Sequence, residues 1–553
     1  MQELSDLIKV AAKDAFGADV EPELTRPEEQ FGDYSTNVAL QLAGQVDKKP
    51  RELAEQLVKK LQDPLVVKIE VAGPGYINFW LSDGTLAKAA SDPTKLPKPN
   101  KGKEILVEFG DPNPFKEMHI GHLYSYIVGD SISRLLEASG ATVRRLSYHG
   151  DVGLHVAQAI YGLRIIDQKR QGRDKSFTDV PIIERENFLS VAYAKGAKAY
   201  EDDETARGEI DEINERIYKK DDDEINKLHE EGSKLSFSYF DKILDLLSIK
   251  NDRRYLESET IQAGEGLVQK NIGSIFKQSQ GAIIFEGEKV DLHTRVFITS
   301  KGLPTYETKD LGLTQLKNKD FPRAARSIII TANEQSEYFK VMLAALAEID
   351  ANLAKKTTHL SHGFLSLSTG KMSSRSGNVY PAMQLLLEAK AAVHEQYPDS
   401  PARKEVTFGA VKYAFLKHRL GQDIVVDVKE AASLEGQSGP YLQYAHARAR
   451  SILQKSGAKE SKTDIADFKK GERSLVRKIS QYPEVVEKAV NELMPHHVAT
   501  YLYELAQTFN RFYENNRVIG DPRESVRLKL VESYADVLKN GLELLNIPAP
   551  ERM

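Results

Sequence analysis

The spacing of apolar and polar residues predicts a β-loop-α-β unit near the first fifth of the chain. Residues 105–109 form a short apolar, β-branched run, which is typical of a buried parallel strand. Residues 110–114 break that strand into a loop, and a second strand is predicted at 143–148. Between them, from about 121 to 139, apolar residues recur at helical spacing: Leu123, Ile127, Ile132, Leu135 and Leu136. The loop therefore lies at the carboxyl end of a parallel strand, where open α/β sheets bind ligands.

The same patterns divide the rest of the chain. Residues 99–380 read as strands alternating with helices, which predicts a doubly wound parallel sheet. Helices rich in charged residues are predicted after residue 165, and we expect the sheet to resume with a strand at residues 295–300. From about 381 the pattern is almost wholly helical, as a connecting region (381–435) and a helical bundle (436–553).

Residues 1–98 predict a separate, small α+β domain. Amphipathic helices are predicted near the start and at 50–61, and strands at 66–71 and 76–81. A run rich in proline and lysine at 93–103 is the expected linker to the next domain.

Composition narrows the class of protein. Lys and Arg total 76 against 81 Asp and Glu, so a nucleic-acid surface must be a local patch. The absence of cysteine excludes disulfides and Cys-ligated zinc. No apolar stretch approaches ~20 residues, and the first helix is acidic, which argues against a membrane span and a transit peptide. We therefore expect a soluble, cytoplasmic protein without a structural metal.

The loop after the first strand carries specific chemistry. His119 and His122 flank Gly121 at the start of the predicted helix, where unpaired backbone N–H groups favour anions. Two imidazoles there can add hydrogen bonds to phosphate oxygens. A glycine between them allows a ring or a ribose to approach the backbone. The sequence has no P-loop motif, so a nucleotide would have to be held by this loop.

His119-Ile120-Gly121-His122 is the HIGH signature of class I aminoacyl-tRNA synthetases, and the longer string VEFGDPNPFKEMHIGHL resembles arginyl-tRNA synthetases. The stretch at 370–378, GKMSSRSGN, resembles the second class signature, KMSKS. It departs from the pattern because Ser374 replaces the second lysine. Family members that lack this lysine carry one just before HIGH, and Lys116 matches that position. The resemblance implies ATP binding by His119, Gly121, His122, Lys116, Lys371, Met372, Ser373, Ser374 and Arg375.

Both ends of the chain resemble the same family. Residues 31–40 and 71–81 are similar to its extra amino-terminal domain, which implies tRNA contacts by Tyr76 and Asn78. Residues 436–455, GQSGPYLQYAHARARSILQK, are similar to a stretch of its carboxyl-terminal anticodon-binding domain. There Tyr441, Tyr444 and Arg448 form a polar aromatic stripe suited to stacking on bases and pairing with phosphates. A role in the protein core is the alternative for each of these residues.

The resemblance also implies the substrate. Arginine carries a planar guanidinium with five N–H donors, so a selective pocket needs carboxylates. Glu108 and Asp310 match the family positions that hold the guanidinium, and Tyr306 shares a helix face with Asp310. Asn113 and Gln335 match those that hold the α-carboxylate and α-amine.

The implied reaction uses ATP with Mg²⁺, forms arginyl-adenylate and transfers arginine to tRNA(Arg). In this interpretation His119, His122, Lys116 and Lys371 supply positive surroundings for the phosphates. The resemblance implies that tRNA must be bound for the first step. Residues 165–295 would be the insertion that splits the nucleotide fold in this class, and we expect a monomer. Two alternatives are a class I synthetase for another amino acid and a non-catalytic tRNA-binding paralogue.

Overall fold

The amino-terminal part of the chain folds around a four-stranded antiparallel sheet. The computed structural model describes residues 2–170, 182–368, 380–456 and 467–553. The strand order is β1-β2-β4-β3, and the apolar faces of the helices cover the sheet. The predicted helices and strands are confirmed here. The elements are α1 (Gln2–Phe16), β1 (Leu24–Thr25), β2 (Tyr34–Thr36), α2 (Val38–Ala43), α3 (Pro50–Val58), β3 (Val66–Ala72), β4 (Tyr76–Leu81) and α4 (Asp83–Ala89).

The middle of the chain contains the predicted parallel sheet with helices around it. Its elements begin with β5 (Glu104–Glu108), α5 (Ile120–Ala138), β6 (Thr142–His149), α6 (Leu154–Arg170), α7 (Ile182–Asp202), α8 (Glu204–Lys219), α9 (Asp223–Leu247), β7 (Arg253–Leu256) and α10 (Glu257–Lys270). They continue with β8 (Lys277–Ser279), β9 (Ala282–Phe285), β10 (Arg295–Ile298), α11 (Tyr306–Asp320), β11 (Ala324–Ala332), α12 (Ser336–Ile349), α13 (Ala351–Lys356), β12 (Thr357–His362) and β13 (Leu365–Leu367).

The sheet has the order β12-β11-β5-β6-β7, and every neighbouring pair is parallel. The chain starts in the middle, at β5, runs outward to β7, and returns to the other side of β5 as β11. Strand order therefore reverses between β5 and β11. A crevice forms at the carboxyl ends of these two strands, which is the usual ligand site of such sheets.

One expectation about this sheet is wrong. The strand at 295–300 does not rejoin it, because β10 pairs antiparallel with β9 in a separate three-stranded sheet. The parallel sheet resumes earlier, at β7, which pairs with β6 and lies inside the range 165–295. Hydrophobic periodicity and composition cannot tell which sheet a strand joins, because a four-residue apolar strand has the same pattern in a parallel and in an antiparallel sheet.

The carboxyl-terminal part is helical, as expected. Over residues 380–456 and 467–553 its one strand is the short β14 (Ile424–Val426), which pairs parallel with β13. The helices are α14 (Ala382–Gln396), α15 (Arg403–Leu416), α16 (Val428–Ala431), α17 (Gly439–Ser456), α18 (Lys470–Ser480), α19 (Tyr482–Glu492), α20 (His496–Asn515) and α21 (Glu524–Leu544). Among the described residues, no helix is long and apolar enough to cross a membrane.

A buried ionic contact joins the two ends of the chain. Asp33, which is 1% exposed, accepts hydrogen bonds from both Nη atoms of Arg473 at 3.2 and 2.8 Å, and its carboxylate lies 3.2 Å from Nε of Arg477. Beside it, Arg26 pairs with Glu484 at 2.9 Å. The amino-terminal domain is thus fastened to α18 and α19 of the helical domain.

Candidate active site

A cavity of about 490 Å³ opens where the strand order reverses. It is built from the loop after β5, the start of α5, the first turns of α11 and the segment after β11. The cavity brings together eight of the residues that the sequence singles out: Glu108, Asn113, His119, Gly121, His122, Tyr306, Asp310 and Gln335. Lys116 is not among the lining residues.

The two histidines of the loop cap the helix α5. Nδ1 of His119 accepts hydrogen bonds from the backbone N–H groups of Gly121 (3.1 Å) and His122 (3.4 Å). Nδ1 of His122 accepts in turn from the backbone N–H of His119 at 3.3 Å, and the two rings stack with centroids 3.6 Å apart. In a neutral imidazole one nitrogen accepts and the other carries the proton. Both rings therefore hold their proton on Nε2, away from the cap.

This geometry corrects the expected source of anion binding. The first N–H groups of α5 are not unpaired: Ile120 donates to the carbonyl of Tyr380 at 3.0 Å, and Leu123 donates to that of His119 at 3.1 Å. The N–H groups of Gly121 and His122 are bound by the ring of His119. Backbone donors at this helix start are thus already satisfied within the protein. The Nε2–H groups of the histidines are the donors left for a phosphate.

Burial works against the expected positive charge of the histidines. It lowers the pKa of His119 to about 4, and the nearby charge of Lys116 also lowers it. Burial likewise lowers the pKa of His122 well below its usual value, with His119 adding to the effect. Both shifts favour the neutral imidazole, which donates one hydrogen bond, over the cation.

Gly121 also leaves room for the imidazole of His119. A Cβ at this position would lie 3.0 Å from the Cε1 and Nδ1 atoms of that ring. The absence of a side chain therefore lets the imidazole fold back over the helix start without being displaced.

The opposite side of the cavity is acidic. Glu108, at the end of β5, lies 2.5 Å from Nζ of Lys317, and both side chains are almost fully buried. Asp310, one turn into α11, accepts a hydrogen bond from the hydroxyl of Tyr338 on α12. Burial raises the pKa of Asp310 to about 7, and the charge of Glu108 also raises it. An unbalanced negative charge in a buried site is a good receptor for a cation.

The remaining predicted substrate residues lie around this acidic end. Asn113 uses its Oδ1 atom to accept the backbone N–H of Gly150 at 3.0 Å, which fixes its side chain at the cavity wall. Tyr306 begins α11 at the rim and is 63% exposed. Its ring lies 4.6 Å from Nζ of Lys309, which is itself paired with the buried Glu257 at 2.6 Å.

Lys116 is placed beside the cavity rather than in it. Its Nζ atom lies 4.6 Å from the ring centre of Tyr193, on helix α7. Its charge nevertheless lowers the pKa of His119 and of His155, so it lies within electrostatic reach of the histidine cap.

The predicted residues Lys371, Met372, Ser373, Ser374 and Arg375 lie outside the described residues. The chain that follows them is described, and it returns to the histidine loop. Ala382 donates its N–H to the carbonyl of Met118 at 2.8 Å, and Tyr380 accepts from Ile120. The described chain that begins at Tyr380 is thus hydrogen-bonded to the backbone of the HIGH loop.

Three family models match successive parts of the chain. The arginyl-tRNA synthetase N-terminal domain matches residues 2–81, the class I (R) tRNA synthetase catalytic domain residues 85–427, and the DALR anticodon-binding domain residues 442–553. The chain belongs to the arginyl-tRNA synthetase family. The catalytic-domain match alone covers more than half of the chain, and it contains every residue of the cavity.

Individual relatives agree with the family. The arginine–tRNA ligase of Lactobacillus delbrueckii subsp. bulgaricus is 30% identical over 97% of this chain and 96% of its own length. That of Clostridium perfringens is 29% identical over 95% of each chain. The solved arginyl-tRNA synthetase of Thermus thermophilus superposes with a TM-score of 0.82 at 28% identity and covers 100% of both chains.

In the DALR domain, the predicted stripe forms a connected network. Arg448 stacks over the ring of Tyr444 at 4.9 Å and donates to Oδ1 of Asn510 at 3.3 Å, while Asn510 donates to the hydroxyl of Tyr441 at 2.8 Å. The opposite face of α17 is buried, as expected (Leu442, Ala445, Ala449 and Ile452). Tyr444 and Arg448 also line a cleft of about 1020 Å³ with Lys455, Arg517 and Arg552.

In the N-terminal domain typical of arginyl-tRNA synthetases, the two predicted tRNA residues differ. Tyr76, at the start of β4, is 43% exposed and can present its ring to a ligand. Asn78 is only 7% exposed, and it lies on the central strand β4, paired with Ser35 of β2 and Glu70 of β3. Its amide is therefore not at the surface in this structure.

Several residues of this arginyl-tRNA synthetase site were not found from the sequence. Lys317 lies seven residues after Asp310, two turns along α11 and so on the same face, which was a usable signal. Tyr338 follows Gln335 by three residues but reaches Asp310 only through the fold. Asp111 lies in the loop after β5, between Glu108 and Asn113. Nothing in the spacing of residues there distinguished it from the other residues of the loop.

Proposed function

We propose that the chain ligates L-arginine to tRNA(Arg) in an ATP-dependent reaction that proceeds through arginyl-adenylate. The observation that carries this proposal is one cavity with two chemically distinct ends. One end holds the imidazoles of His119 and His122, and the other holds Glu108 and Asp310. A phosphate-binding end next to a cation-binding end fits ATP and arginine side by side, with the arginine carboxylate between them.

The acidic end is the proposed guanidinium site. Asp310 and Glu108 face the substrate cation, Tyr306 covers it from the rim, and Asn113 and Gln335 hold the α-carboxylate and α-amine. Carboxylates pair with the planar guanidinium through two parallel hydrogen bonds, which a lysine ammonium cannot reproduce. This arrangement supports selection of arginine over lysine.

The histidine end is the proposed phosphate site. Adenylate formation places extra negative charge on the α-phosphate, and the Nε2–H groups of His119 and His122 are the donors available to it. The protein forms no covalent bond with either substrate in this scheme, so its contribution is alignment and charge stabilisation. Mg²⁺ would enter with ATP and help to neutralise the phosphates.

We propose that the positively charged side chains that meet the phosphates belong to residues that do not line the cavity. Lys116 would leave its contact with Tyr193 and approach the phosphates, because it is already close enough to affect His119. Lys371 and Arg375, with Met372, Ser373 and Ser374 beside them, would act from the segment that leads into Tyr380. These roles rest on the family pattern and on the position of the flanking chain.

The two outer domains are proposed to hold the tRNA. The cleft beside α17 offers an aromatic ring and several cations, which suits an anticodon base and its phosphates. Tyr441 would support this surface through Asn510. Tyr76, which is exposed, would meet the tRNA elbow, whereas the buried Asn78 would support the strand that carries it. We place the domain boundaries at 1–98, 99–380, 381–435 and 436–553, and propose a monomer that works in the cytoplasm.

The exchange of radioactive pyrophosphate into ATP tests the proposal. Each of the twenty amino acids is supplied in turn, with and without tRNA. We expect exchange with arginine, dependent on tRNA, and background rates with lysine. Exchange driven by another amino acid would favour a different class I activity, and no exchange under any condition would favour a non-catalytic paralogue.

A further inference from the structure

The acidic end of the cavity contains two carboxylates more than the family pattern predicts, because Asp111 and Glu257 line it together with Glu108 and Asp310. Two of the four have an ammonium partner: Lys317 is paired with Glu108, and Lys309 with Glu257. Lys317 lies 2.5 Å from Glu108, and both side chains are buried, so the charge of Glu108 is already balanced within the protein. Glu108 can still accept a hydrogen bond from the substrate, but Asp310 supplies the unbalanced charge of the proposed guanidinium site. A planar guanidinium has donors for more than one further carboxylate.

Asp111 is held in a position to provide the second carboxylate. Its backbone has a φ of 53°, a left-handed conformation that Asp, Asn and Gly adopt more readily than other residues. Its Oδ1 atom accepts the backbone N–H of Tyr148 at 2.7 Å, which fixes the carboxylate plane. No described residue donates a hydrogen bond to its other oxygen, Oδ2.

The charges in this end of the cavity act on one another. Burial raises the pKa of Asp111 well above its usual value, and the neighbouring charges of Glu108 and Asp310 raise it further. A cation between Asp111 and Asp310 would relieve this repulsion. An uncharged ligand of the same shape would not.

We propose that Asp111 is a specificity-determining residue, whose free carboxylate oxygen accepts a hydrogen bond from the substrate guanidinium opposite Asp310. The inference rests on the proposed function, because it takes arginine as the ligand of this cavity. Selection between arginine and citrulline, its uncharged ureido analogue, depends on Asp111.

The test is Asp111→Asn in the full-length chain, with arginine and citrulline compared in tRNA-dependent pyrophosphate exchange. Asparagine tolerates the left-handed backbone, keeps the oxygen that accepts from Tyr148, and offers an N–H₂ group where Oδ2 was. We expect the KM for arginine to rise by about 10–100-fold with a smaller change in kcat, because a charged hydrogen bond is lost. The KM for citrulline should fall, since its ureido oxygen can accept from the new amide.

Asp252→Asn is the matched control. Asp252 is exposed and also accepts a backbone N–H of β6, that of Arg145 at 2.7 Å, but it does not line the cavity. The Asp252→Asn substitution should leave the KM values for arginine and citrulline unchanged. Asp111→Gly, which removes the carboxylate without strain at this φ, should weaken arginine binding without improving citrulline.

Each result decides the inference. If Asp111→Asn keeps the arginine KM within threefold, or weakens both amino acids equally, Asp111 does not select the guanidinium. If neither Asp111 variant folds, the residue serves the fold and the inference is wrong. Failure of the wild-type chain to use arginine would instead overturn the proposed function, so the two failures are distinguishable.

Discussion

Replacing Asp33 by Asn should loosen the amino-terminal domain from the helical domain. Asp33 is 1% exposed and is contacted by two guanidinium groups, those of Arg473 and Arg477. Asparagine preserves the shape and one acceptor oxygen but removes the negative charge. Arg477 would then lose the anion that balances it, and Arg473 would keep only Asp83, whose carboxylate lies 3.3 Å from its Nε atom.

The magnitude follows from what the arginines retain. Removing one partner of a buried ion pair typically costs about 3–5 kcal/mol, because the other charge is left buried. Here the cost should be lower, since Arg473 still donates to the carbonyl of Leu81 at 2.9 Å and Arg477 to that of Gly32 at 3.0 Å. Both side chains also keep some solvent contact, at 22% and 12% exposed. We expect a loss of about 2–3 kcal/mol in the stability of this interface.

The chain offers a selective probe for this change. Its single tryptophan is Trp80, on β4 of the amino-terminal domain, so urea unfolding followed by tryptophan fluorescence reports on that domain. The unfolding midpoint of Asp33→Asn should fall clearly, while that of the control Asp19→Asn should not. Asp19 pairs with Lys13 at the surface, where its side chain is 88% exposed. Identical midpoints for wild type and Asp33→Asn would refute the proposed fastening of the two domains.

Three further predictions concern the reaction and the tRNA. Lys116→Ala should lower single-turnover adenylate formation by about 10²–10³ with little change in arginine affinity, and a rate within threefold of wild type would exclude a transition-state contact. Because burial raises the pKa of Asp310 to about 7, its carboxyl is protonated below that pH and must lose the proton to bind a guanidinium. The arginine KM measured from pH 6 to pH 8 should therefore fall and then level off above about pH 7, whereas a flat profile would contradict an ionised Asp310. Deletion of residues 1–98 should weaken tRNA binding in a filter assay while arginine binding persists. Tyr76→Ala in the full chain should reproduce part of the loss of tRNA affinity. Unchanged tRNA affinity in both variants would rule out the elbow contact.

The sequence was informative wherever a short motif coincides with a local turn. His119 and His122 sit at a strand-loop-helix junction, so the pattern of apolar residues located them and the family pattern indicated their chemistry. Their charge state could not be predicted, because it depends on burial and on a cap in which each ring accepts backbone N–H groups. A sequence motif carries no information about either.

Long-range contacts account for the other differences between the prediction from the sequence and the structure. The pairing of Glu108 with Lys317 joins residues more than two hundred positions apart, and no local pattern marks it. The same holds for Asp33 and Arg473, which lie at opposite ends of the chain. The misplaced strand at 295–300 has a similar cause, since only the fold determines which sheet a short apolar run joins.

Aminoacylation of tRNA would show the proposed reaction itself. The purified full-length chain is incubated with ATP, Mg²⁺ and a tRNA transcript, and the charged tRNA is separated from the uncharged form. We expect charging of tRNA(Arg) with arginine, no charging with lysine, and loss of charging in Asp310→Asn, since the buried pair with the guanidinium would be broken. Charging with lysine at a comparable rate, or no charging with arginine while the protein is folded, would contradict the proposed function.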